Sequence, residues 1–159
     1  MMRPVLSRCL CAGVLGLAVM LAACGGDGMR EVRVDDRMRM SVPEDLEHEP
    51  GNGDSGRLVN GELEVAYEFG GMLDAPALQG QQPYQVAFFT ADERDATAEF
   101  FEVEGGTGRP YAVVMRIDDI GTGESLMVLV RAADEDGTDI ALDIFRSIEF
   151  LEAVGDPPG

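Results

Sequence analysis

Three cysteines, one histidine and thirty carboxylates are the groups in this chain with reactive or metal-binding chemistry. His48 stands between Glu47 and Glu49 in an acidic segment. A general base needs a rigid orienting partner and a nearby nucleophile, and a loop histidine supplies neither. A single histidine also cannot build a three-histidine or Cys/His metal site. Ser55 and Ser125 lie in no Gly-x-Ser-x-Gly context. The run Asp134-Glu135-Asp136-Gly137-Thr138-Asp139 has the look of a calcium loop. With Gly137 at the sixth loop position, Ala132 falls at the first and Asp143 at the twelfth, where an EF-hand needs Asp and a bidentate Glu. The run reads as a turn whose carboxylates cap a following helix. Asp92-Glu93 and Asp118-Asp119 are paired acids. A glycosidase uses two carboxylates about 5 to 9 Å apart, but with thirty acids some pair always meets that spacing, so these read as solvated turns. Gly105-Gly106-Thr107-Gly108 lacks the Lys-Ser/Thr of a phosphate loop and reads as a turn between strands. Met29, Met38, Met40, Met72, Met115 and Met127 are too dispersed for a copper site and read as packing. No catalytic residue, cofactor-binding residue or metal ligand is assigned.

Composition narrows the partners. The chain has 159 residues, with no lysine and no tryptophan. The formal net charge is −18. All thirty acids lie beyond Cys24, and only Arg3 and Arg8 among the twelve arginines precede it. Removal of residues 1–23 leaves ten arginines against thirty acids, a net charge of −20. Such a surface repels nucleic acid and anionic lipid headgroups. It permits basic proteins, cationic peptides and divalent cations.

The N-terminal segment is an address. Arg3 and Arg8 form a positive n-region, and Cys9 to Ala23 are uncharged and rich in Leu, Val and Ala. That stretch is shorter than the roughly 20 residues a spanning helix needs, and it reads as the apolar part of a signal peptide. It ends in Leu21-Ala22-Ala23-Cys24, which resembles the lipobox of bacterial prolipoproteins. The resemblance implies cleavage between Ala23 and Cys24, and a thioether from the Cys24 sulfur to diacylglycerol. Each buried CH₂ contributes roughly 0.8 kcal/mol, so two or three acyl chains make such an anchor effectively permanent. Cys24 is also the only cysteine left after cleavage, which removes any disulfide. Gly25, rather than Asp, follows it. By resemblance to enterobacterial sorting, that implies the periplasmic leaflet of the outer membrane where the cell has one.

The remaining chain reads as four parts: signal peptide 1–23, lipidated tether 24–30, one α+β domain over 31–152, and a disordered tail 153–159. Val32, Val34, Met38, Met40 and Val42 alternate and predict one or two strands closed by Pro43. Residues 44–56 predict an acidic surface loop. Asn60-Gly61 predicts a type I′ hairpin. Leu63, Val65, Tyr67 and Phe69 should face a core, with Glu62, Glu64 and Glu68 on a wet acidic face. Tyr84–Thr90, Ala98–Glu104 and Tyr111–Ile117 predict further strands, with a turn or a single helical turn at 91–98. Leu126–Val130 is continuously apolar and predicts a central strand covered on both faces, antiparallel to 111–117. Ile140, Ala141, Ile144, Phe145 and Ile148 predict a C-terminal helix, capped by Asp136, Thr138 or Asp139. Phe150 and Leu151 predict a brief pairing after it. The sum is an antiparallel sheet of about five to seven strands packed by a C-terminal helix.

Several short landmarks line up further. They are Ser41-Val42-Pro43-Glu44-Asp45, Asp54-Ser55, Tyr67-Glu68-Phe69-Gly70, Tyr111-Ala112-Val113 and Phe145-Arg146-Ser147-Ile148-Glu149-Phe150. Across residues 37–151 they resemble the PsbP-like group of small exported α/β/α domains. That group implies a sandwich fold and an accessory, assembly or chaperone-like role, with no shared catalytic set. The expectation is therefore a membrane-anchored envelope lipoprotein, a non-enzymatic accessory or protein-binding module. Two other readings remain open: a binder of divalent cations or small cationic ligands through an acidic face, and a carboxylate-only hydrolase of envelope glycans.

Overall fold

The computed structural model describes residues 28–34, 36–51, 53–70, 78–103 and 108–151. The signal segment, Cys24 and the tail 153–159 lie outside them. Among the described residues, ten strands and one helix follow in the order β1 (Met29–Val34), β2 (Met38–Pro43), β3 (Glu47–Pro50), β4 (Ser55–Val59), β5 (Leu63–Phe69), β6 (Gln85–Ala91), β7 (Arg94–Glu102), β8 (Tyr111–Ile117), β9 (Leu126–Ala132), α1 (Asp136–Arg146) and β10 (Glu149–Phe150).

The strands form two sheets rather than the single sheet expected. A seven-stranded sheet runs β3-β4-β5-β9-β8-β7-β6, and a three-stranded one runs β1-β2-β10. Every pairing is antiparallel. The helix touches β2 of the small sheet and β6, β8 and β9 of the large one. Helix and small sheet thus cover one face of the large sheet, which is an α+β arrangement.

Alternation in the sequence decides what is buried. In β5, Leu63, Val65, Tyr67 and Phe69 are buried and the residues between them are half-buried. In β2, Met38, Met40 and Val42 are buried in the same core. Ala141, Ile144 and Phe145 of α1, with Ile148 beyond it, complete that core. Phe145 stacks on Phe89 with ring centroids 6.4 Å apart. β9 lies at the centre of the large sheet, and Leu126 to Val130 are all buried. Its two faces belong to different clusters: Leu126, Val128 and Val130 join the main core, while Met127 and Leu129 join Phe101, Val103, Ala112 and Val114 behind the sheet.

Four local expectations are corrected. First, β1 begins at Met29, inside the segment expected to be tether. It pairs with β2 from Met29↔Pro43 onward. Second, the acidic stretch 44–56 contains β3 and the start of β4, so His48 sits on a strand. Third, the 60–63 turn is not type I′, because Gly61 does not take a positive φ. The Asn60 side-chain oxygen instead accepts the N–H of Glu62 at 2.8 Å and of Leu63 at 2.6 Å, a local Asx turn that a flexible Gly61 permits. Two consecutive left-handed residues occur at Asp92 (φ 47°) and Glu93 (φ 64°), which join β6 to β7 in a tight hairpin. Fourth, Asp134 rather than a later residue serves the helix start, accepting the Gly137 N–H at 3.1 Å.

Candidate interaction surface

The chemistry-bearing residues have structural partners. Asp119 Oδ1 accepts the N–H groups of Gly121 (2.7 Å) and Gly123 (3.1 Å), closing the turn between β8 and β9. These two backbone donors hold its carboxyl below the usual carboxylate range. Asp92 accepts from Arg94 Nη1 at 3.0 Å and from the Phe150 N–H at 2.8 Å. Both acidic pairs thus contribute to turns. His48 Nε2 lies 3.2 Å from the Tyr67 hydroxyl, and the two rings stack. Gly56 leaves the room for that hydroxyl: a Cβ there would come within 2.2 Å of it. Among the described residues, no three His, Cys, Asp or Glu side chains converge to hold a metal ion.

The face expected to be wet and acidic around Glu62, Glu64 and Glu68 is neither at its centre. The Glu64 side chain is only 16% exposed and lies 4.0 Å from Arg57, 3.8 Å from Arg109 and 3.7 Å from Arg131. Three guanidiniums surround one carboxylate, so Glu64 is not a free cation ligand. Sequence reasoning missed this because Arg57 and Arg131 come from β4 and β9, and Arg109 precedes β8. The register Ala66↔Arg57 and Glu64↔Arg131 brings the first two together. Arg109 is fixed by donating to the Asn60 carbonyl at 2.5 Å.

A cleft of about 490 Å³ opens where the small sheet meets the β8–β9 turn, lined by Arg37, Arg94, Ile120, Glu124 and Phe150 among others. Both of its cations are neutralised. Arg37 pairs with Asp54 (2.5 Å) and Glu124 (3.5 Å) and lies over the Phe69 ring. Arg94 pairs with Asp92 and lies over Phe150. Their donors and ring faces are engaged within the fold, which leaves little to recognise an anion.

The unspent chemistry is apolar. Phe88 is 81% exposed, Tyr84 54% and Val86 44%. All three lie on or beside β6, an edge strand of the large sheet. Val86 and Phe88 point away from the main core, and Ala87 and Phe89 between them pack against it. Large apolar side chains grouped on an exposed strand edge mark contact sites or aggregation hazards. The Tyr84 hydroxyl is pushed above its ordinary pKa, first by partial burial and then by Glu135, Tyr111 and Glu102.

No family model matches the chain. No curated protein matches it either. A crystal structure from Bacteroides thetaiotaomicron VPI-5482 is similar at 14% identity and a TM-score of 0.46. The match covers 76% of this chain and 47% of that one, so this chain spans about half its length. A likeness so slight carries no argument about function.

Proposed function

We propose that the protein is a lipid-anchored envelope lipoprotein whose folded domain is a non-catalytic protein-binding module. The observation that carries the module is the pair of exposed apolar side chains at Val86 and Phe88 on the face of β6 turned away from the main core, in a chain otherwise so acidic. The engagement of Asp92, Asp119 and Glu64 in turns and ion pairs favours binding over carboxylate catalysis. The anchor rests on Leu21-Ala22-Ala23-Cys24 behind its apolar stretch. Gly25 favours the outer membrane in a cell that has one. The finer fold reading is a PsbP-like sandwich. Its opening landmark Ser41-Val42-Pro43 falls at the end of β2, and its closing landmark spans the end of α1 and β10.

Two measurements test the two halves. Fractionation of cells carrying Cys24→Ala should move the protein from the membrane to the soluble fraction and abolish labelling by radioactive palmitate. A variant still bound to membranes would reject the anchor. A photo-crosslinking amino acid at position 88 should give a discrete adduct with an envelope protein, and one at exposed Asp139 on α1 should not. Absence of an adduct at 88 would reject the module.

A further inference from the structure

β3 and β6 are the two edges of the same sheet, and they are finished differently. β3 has four residues, including Glu47, Glu49 and Pro50. Charge and a missing N–H discourage a further strand there. β6 has seven residues, Gln85–Ala91, with no charge and no proline. The turn fixes which of its backbone groups are free. The Asp92-Glu93 loop closes on Ala91↔Arg94 as a hydrogen-bonded pair, and antiparallel alternation makes Phe89↔Ala96 and Ala87↔Ala98 the next bonded pairs. Val86, Phe88 and Thr90 therefore direct their N–H and C=O groups away from β7, into an edge that no other described strand pairs with. The surroundings are acidic. Glu99 lies opposite Val86 and Asp95 opposite Thr90. Asp95 and Asp118 line a cleft of about 380 Å³ beside Phe88, with Arg116 its one lining cation. Arg116 is itself engaged by Glu99 at 3.5 Å.

We propose that β6 accepts an extended cationic segment of another polypeptide as an added strand of the large sheet, a mode that rests on the protein-binding reading above. Main-chain hydrogen bonds to Val86, Phe88 and Thr90 hold the segment, and alternate apolar side chains cover Phe88. A Lys or Arg of the segment enters the Asp95–Asp118 cleft. The same charge disfavours a second copy as occupant, since each chain carries −18.

The test uses the full-length protein in detergent and a fluorescent peptide of about nine residues, alternating Val and Thr with Arg at both ends. Anisotropy should show saturable binding. Thr90→Pro removes one free-edge N–H while sparing the β7 ladder and Phe88, and should weaken binding about tenfold. Thr90→Val keeps the N–H and should bind as the natural chain does. N-methylation of the peptide on alternate residues should abolish binding, and this arm stands even if Thr90→Pro misfolds. Replacement of the peptide's Arg residues by Glu should also abolish it. No saturation at millimolar peptide overturns the proposal. Binding indifferent to N-methylation overturns strand addition while leaving the protein-binding reading intact. A dimer in sedimentation that Thr90→Pro dissolves would make a second copy the occupant and overturn the cationic segment.

Discussion

Asp119 shows how a carboxylate in a suggestive pair serves the backbone. Its folded-state pKa is depressed by the Gly121 and Gly123 N–H groups, the larger cause being Gly121. A depressed carboxylate contributes stability that is present above its unfolded pKa of about 3.9. That contribution is lost as pH falls through the lower folded value. Asp119→Ala should therefore melt below the natural chain at pH 7, and the gap should close in acid. An equal gap at both pH values would refute this role. Gly137 makes a second case. A Cβ there would sit 2.2 Å from the Ala132 Cβ, where α1 starts against β9. Gly137→Ala should destabilise by about 1 to 3 kcal/mol through overpacking, despite alanine's better helix propensity. Chemical denaturation would measure it, and a stabilised variant would contradict the close approach.

At the scale of elements, legibility followed periodicity. The alternation of β5, the apolar run of β9 and the helical spacing of Ala141, Ile144 and Phe145 each gave the right element, although Ile140, expected on the same helix face, is exposed. β3 was missed because Glu47, His48, Glu49 and Pro50 hold no apolar residue, and register against β4 makes it a strand. The turns were misread for a related reason. Asn-Gly is the favoured type I′ pair, yet here the Asn60 side chain satisfies two N–H groups by itself. Asp92-Glu93 has no such signature, but its turn is held by the Arg94 and Phe150 contacts of Asp92, one of them from a strand far along the chain. Of the candidate surface, Tyr84–Thr90 was legible as a strand. Its place at the edge was not, since strand order in a sheet is set by pairing across the fold.

For the molecule as a whole, charge is the largest unspent term. Thirty acids face twelve arginines. Most of the ion pairs are exposed, such as Arg33–Asp36 and Arg146–Asp143, and pairs of that kind contribute about 0 to 1 kcal/mol each. General repulsion among the surplus acids should outweigh them. Raising sodium chloride from low to physiological strength should therefore raise Tm, because screening weakens repulsion across the whole surface. A Tm that falls with salt would mean that the arginine pairs outweigh the surplus.

The small sheet carries a consequence for the order of events in synthesis. β2 holds β1 on one side and β10 on the other, pairing Arg39 with Glu149 and Met38 with Phe150. Arg39 also hydrogen-bonds the Glu149 carboxylate across 110 positions of sequence. A chain emerging from its N-terminus can zip β1 to β2 early, since those contacts are local. It cannot seat the far side of β2 until residue 150 has arrived. Contacts of such long range form late, so the small sheet is completed only when its last strand appears. A ribosome releasing the chain just short of Glu149 would leave β2 with one side unpaired by β10.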